Sequence, residues 1–149
     1  MGFKSKYKGK FSPKHPEKYL GNPTKIIFRS SYELKYMIYL DDHPDVIRWG
    51  SEEVIIPYIA PDGKSRRYIP DFIVQLRNKH GQIENLMVEI KPFAQTQPPK
   101  KPLRMTKGFL EAVETYEINK RKWHAAIQYC QKKGLEFKLL TESDLGIKI

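Results

Sequence analysis

One cysteine, Cys130, stands in 149 residues, and the four histidines His15, His43, His80 and His124 are scattered without ligand-like spacing. A disulfide framework and a zinc site built on nitrogen and sulfur are thereby excluded, so any metal would have to be held by oxygen. No run of 18 or more apolar residues occurs, and the chain opens Met-Gly-Phe-Lys-Ser-Lys without an apolar segment. Neither a membrane span nor a secretory signal is read, and the expectation is a soluble intracellular protein. Acids are scarce as well, 17 against 27 Lys and Arg, for a net charge of +10. On a chain the size of one ordinary domain, that excess favours a polyanionic partner, nucleic acid above all, although docking on an acidic protein surface would also use it.

The charge is unevenly placed. Residues 1–25 contain seven lysines, among them Lys4, Lys6, Lys8 and Lys10, against the single acid Glu17, and they show neither helical nor strand period. They read as a basic N-terminal arm preceding one domain, residues 26–149. Phe3, Tyr7, Phe11 and Tyr19 are interleaved with the lysines, a pattern that serves either to stack on bases or to pin the arm to the domain.

Beyond the arm, "SSYELKYMIYLDD" predicts a helix with a capping box at Ser30 and Glu33, ended by Pro44. "EEVIIPY" reads as a short strand, Pro61-Asp62-Gly63 as a turn, and "RRYIPDFIVQL" as one longer strand, which a loop around "NKHGQ" reverses into "IENLMVEIK". The stretch 92–102 holds four prolines with Lys100 and Lys101, and should be a basic loop without regular structure. Two helices should follow, the first carrying Phe109, Val113 and Tyr116, the second capped by Asn119 and stopped by Gly134, and then a strand "LEFKLL". The order α, β, β, β, α, α, β makes a mixed α/β domain around an antiparallel hairpin.

That hairpin carries the chemistry. Side chains alternate along a strand, so Asp71, Ile73 and Gln75 share one face, as do Met87, Glu89 and Lys91 on the returning strand. With a five-residue loop, Asn78 to Gln82, Arg77 pairs with Ile83 and Asp71 falls opposite Glu89, their Cβ atoms about 4.5–5.5 Å apart. A bulge at Gly81 would slip that register by one. Facing carboxylates repel unless a cation sits between them, and a hard divalent cation answers that need. Lys91, about 7 Å farther along the same face, could steady charge developing on a phosphoryl group. The plain alternative is a solvated sheet face with ordinary cross-strand pairs. Glu33 is likewise open to two readings, a fourth member of the set or a capping residue folded onto its own helix.

With Glu33, "IPDF" and "VEIKP" in this order, the chain resembles the PD-(D/E)xK nuclease superfamily of restriction-endonuclease-like fold. The resemblance implies a mixed β-sheet with flanking helices, metal binding by Asp71, Glu89 and Glu33 with Mg2+ (Mn2+ substituting), and Lys91 as the catalytic lysine. From "GKFSPKHPEKY" through "FRSSYELKYMIYLDDHPDVIRWGSEEVIIPY" to "KWHAAIQYCQKKGLEFKLLTESDL" the chain is also similar to the head completion nucleases of T-even-like tailed phages. Residues 28–91 are similar to the endonuclease subunit of heteromeric transposases. These likenesses imply a DNA endonuclease acting in the host cytoplasm at the filled phage head, with head, portal or neck proteins as partners. The alternatives are a non-catalytic head-closure protein that binds DNA or the portal, and a transposase-type subunit. Lys4, Lys6, Lys8, Lys10, Lys100, Lys101 and Arg104 are the candidate phosphate contacts.

Overall fold

The computed structural model describes residues 8–146. Its centre is a four-stranded sheet in the order β3 (Val46–Ser51), β6 (Phe72–Arg77), β7 (Ile83–Ile90), β8 (Glu136–Leu140), with β7 and β8 parallel and the other neighbours antiparallel. Two small antiparallel ribbons flank it, one of β1 (Gly9–Phe11) and β2 (Ile26–Phe28), the other of β4 (Ile56–Ile59) and β5 (Ser65–Tyr68). Helices α1 (Ser31–Asp42) and α2 (Lys107–Lys133) complete a mixed α/β architecture of restriction-endonuclease-like type.

Each face of the sheet buries its own apolar set. Phe72 and Val74 of β6, with Leu86, Val88 and Ile90 of β7, pack with Trp49, with Tyr36, Met37 and Leu40 of α1, and with Phe11, Tyr19 and Ile26. On the opposite face, Met87 joins Ile56, Tyr58 and Tyr68 of the β4–β5 ribbon and Ala126 and Cys130 of α2. The sheet is thus covered on both faces, which is why β7 ends in five consecutive buried residues and not in an alternation.

Both helix starts follow from their caps. The Ser30 hydroxyl accepts the Glu33 N–H at 3.0 Å, and the Thr106 hydroxyl accepts the Phe109 N–H at 3.0 Å. Gly134 ends α2 in the left-handed conformation, φ 73°, that glycine adopts without steric penalty. The expected break at Asn119 does not occur: α2 runs through it, and Asn119 is buried inside the helix. An isolated capping residue type stops no helix when neither Pro nor Gly accompanies it, because propagation is cheaper than a second nucleation.

"RRYIPDFIVQL" is likewise two strands in two sheets and not one. Pro70 brings no N–H for a ladder, and the chain leaves the β4–β5 ribbon after Tyr68 to enter the central sheet at Phe72. The proline-rich stretch, expected to be irregular, contains a short 3-10 turn at Phe93–Thr96. Strands β1, β2 and β3 are additions to the elements expected from the sequence.

Of the basic arm, the described part is packed down. Phe11 and Tyr19 are buried and meet the Trp49 ring edge-on, at centroid distances of 5.9 and 4.8 Å. The buried Asp41 carboxylate accepts the backbone N–H groups of Lys14 (2.7 Å) and His15 (3.0 Å). Lys18 Nζ donates to the carbonyls of Asp41 and His43, each at 2.9 Å. At these two aromatics the arm is pinned to the domain. Phe3, Lys4, Lys6 and Tyr7 lie outside the described residues.

Candidate active site

The hairpin closes as its loop length requires. The Asn78 N–H donates to the Gln82 carbonyl at 2.8 Å, and the Asn78 carboxamide oxygen accepts the N–H groups of His80 and Gln82. Gly81 takes φ 78° within the loop, so the extra flexibility is absorbed there and the strands stay in register. Arg77 pairs with Ile83 and Phe72 with Val88, so Asp71, one residue before β6, stands across from Glu89.

Glu89 is 5% exposed and met on each oxygen: the Tyr68 hydroxyl donates to its Oε1 at 2.8 Å, and Lys91 Nζ stands 3.4 Å from its Oε2. Asp71 is half-buried, and its Oδ2 accepts the Ile90 N–H at 2.8 Å. Burial first, and then the Glu89 charge, push the Asp71 carboxyl well above the usual carboxylate range, against the opposing hydrogen bond from Ile90. The Lys91 charge opposes that rise without cancelling it. Burial and the neighbouring carboxylate also push the Tyr68 hydroxyl far up, so it stays a hydrogen-bond donor.

Glu33 comes near without joining the pair. Its carboxylate Oε1 is 3.3 Å from the Ser30 hydroxyl, at its own helix start, yet its charge is felt at Asp71. Burial, the leading cause, and the Glu52 carboxylate raise the Glu33 carboxyl, while the Arg29 backbone and Ser30 oppose the rise. Glu52 itself sits at φ 54°, a left-handed conformation that costs a non-glycine residue about 1 kcal/mol or more. It is held there by its N–H on the Asp71 carbonyl (3.1 Å) and by an ion pair from Arg29 Nε to its Oε1 (3.1 Å).

Among the described residues no three His, Cys, Asp or Glu side chains converge closely enough to hold an ion unaided. What the fold presents is a pair of adjacent carboxylates, one buried and one half-buried with a raised carboxyl. That donor set fits Mg2+, which typically takes one or two protein carboxylates and completes its shell with water and substrate phosphate oxygens.

The chain is matched over residues 43–142 by the family described as TnsA-like endonuclease N terminal. The chain belongs to the TnsA-like endonuclease family. It is also 41% identical, over 144 residues and 93% of each chain, to the head completion nuclease of Enterobacteria phage T4. The stretch matched to the TnsA-like family contains Asp71, Glu89 and Lys91, while Glu33 precedes it.

Elsewhere on the chain, Lys8, Lys10, Lys100, Lys101 and Arg104 are exposed to solvent, and Lys4 and Lys6 lie outside the described residues. Three neighbours of the acid pair went unremarked in the sequence: Tyr68, Glu52 and Lys122. Only Tyr68 left a trace there, as an aromatic two residues before Pro70; the others reach the pair through tertiary packing.

Proposed function

We propose that this chain is a Mg2+-dependent DNA endonuclease that acts in the host cytoplasm on DNA at the filled phage head, before neck and tail attach. One observation carries the reading: the β6–β7 register sets Asp71, just before β6, across from Glu89, with Lys91 against Glu89. A nuclease in head completion is what the name of the T4 relative describes, and that relative aligns over nearly the whole chain.

In the proposed reaction Asp71 and Glu89, with Glu33 at the margin, hold the divalent cation. When bound, the cation polarises a phosphoryl oxygen and makes water a better nucleophile. Tyr68 fixes the orientation of Glu89 through its 2.8 Å hydrogen bond. The Lys91 ammonium has no hydrogen-bond or ion-pair partner among the described residues other than Glu89, so its remaining donors are available to a phosphate oxygen as charge develops there. The exposed lysines of the arm and of the 92–104 segment supply the sequence-independent attraction to the backbone.

The test is cleavage of duplex DNA in Mg2+ or Mn2+. The parent should nick or cut, and Asp71→Ala and Lys91→Ala should each abolish it. Variants that cut as fast as the parent overturn the assignment. Particles assembled with Asp71→Ala separate the non-catalytic alternative: full infectivity means that head closure uses the fold for binding only.

A further inference from the structure

Lys122 lies on α2, half-buried, over the β4–β5 ribbon. Its ammonium sits 5.9 Å from the Tyr58 ring centroid and 5.8 Å from that of Tyr68, the tyrosine whose hydroxyl is bonded to Glu89. Lys91, Glu89 and Asp71 are all near enough to act on its charge. Among the described residues it has no hydrogen-bond or ion-pair partner, unlike Lys91, which meets Glu89, and Lys120, which meets Glu117 at 2.9 Å. The structure thus holds an ammonium with three donors on two aromatic faces, beside the acid pair and, among the described residues, with no anion in contact.

We propose that Lys122 is a second phosphate-binding cation of the site, taking a phosphodiester oxygen of the DNA beside the one met by Lys91. Two features favour this over a lysine that merely packs its stem. An ordinary surface lysine carries its head out to water, whereas this one is kept over Tyr58 and Tyr68, where the ring faces attract the cation and limit its motion. It also comes from the helix opposite the hairpin, so that Lys91 and Lys122 approach the acid pair from different elements. A phosphodiester drawn to the acid pair by a cation would bring its own negative charge, and the two ammonium groups would offset it. The inference rests on the site being a DNA site, and its test does not require cleavage.

The full chain is titrated with a fluorescent 20-base-pair duplex in EDTA over about 50–200 mM KCl. Lys122→Gln and Lys122→Met, which keep a long stem, should make the slope of log affinity against log salt shallower by about 0.9, the value of one phosphate contact, and Lys122→Arg should restore it. A neutral variant that melts like the parent and keeps the parent's slope overturns the proposal. In case both neutral variants lose stability, the parent itself provides the second readout. Reductive methylation with a 13C label makes each lysine visible, Lys122→Arg assigns the Lys122 resonance, and duplex addition should shift it. No shift overturns the proposal. A shift together with a chain that cuts no DNA would leave Lys122 as a phosphate contact and remove only the nuclease reading.

Discussion

The Tyr68 hydroxyl and the Lys91 ammonium hold opposite oxygens of one buried carboxylate, Glu89, at 2.8 and 3.4 Å. Glu89 is therefore fixed from two elements, and its orientation does not depend on the flexible end of a single side chain. Tyr68→Phe removes one donor from a buried carboxylate and puts nothing in its place. The expected cost is about 1.5–3 kcal/mol, the range for hydrogen bonds to charged groups. Urea unfolding should show a lower midpoint at an unchanged slope; an unmoved midpoint would mean that water replaces the hydroxyl at no cost.

Asp71 makes stability depend on pH in the direction opposite to most aspartates. Its carboxyl is raised in the folded chain by burial and by Glu89, so the folded state binds the proton more tightly than the unfolded state. Stability associated with the protonated form is complete below the ordinary aspartate range and is lost as pH rises through the raised folded value. Each tenfold gain in proton affinity corresponds to about 1.4 kcal/mol. Asp71→Asn keeps an oxygen for the Ile90 N–H and carries no charge, so it should melt at a higher temperature than the metal-free parent at neutral pH, by roughly 2–4 °C per kcal/mol. Adding Mg2+ should raise the parent's melting temperature and leave the variant's unchanged. A variant that melts below the parent across the whole pH range would contradict the raised carboxyl.

The hairpin was legible in the sequence because its determinants are local: an Asn-Lys-His-Gly-Gln loop fixes the register, and a period of two assigns the faces. Asp71 and Glu89 follow from those two rules alone. The continuity of α2 was not legible, since Asn119 is a capping residue type whose local preference yields to burial inside the helix. The transfer of the chain between sheets at Pro70 was equally hidden, because a strand-like sequence does not say with which neighbour it pairs. Lys122 lies 31 residues past Lys91 on a helix, and only the packing of α2 over the β4–β5 ribbon joins them. Glu33 remains as divided as its sequence suggested, tied to Ser30 while its charge reaches Asp71.

Lys100, Lys101 and Arg104 are exposed on the segment between the end of β7 and the start of α2. Without partners among the described residues, such side chains bind phosphates by releasing counterions and read no base. Changing all three to Ser should weaken duplex binding and make the salt slope shallower by about 2–3, with no change in preference among duplex sequences. Equal slopes for parent and variant would show that this loop stays in solvent when DNA binds.

The arm is held by a different kind of contact, and that difference can be measured. Asp41, on the last turn of α1, is 3% exposed, and its two oxygens accept the backbone N–H groups of Lys14 and His15. Asp41→Ala leaves two donors without their acceptor, at an expected cost of about 1–3 kcal/mol. The loss should fall locally, because Phe11 and Tyr19 still pack on Trp49 while the segment between them is released. Trypsin should then cut after Lys14 and Lys18 faster than in the parent, before any cleavage within α2. Asp41→Asn, which retains one acceptor oxygen, should fall between the two. Identical digestion rates for parent and Asp41→Ala would mean that the aromatic contacts alone keep the arm in place.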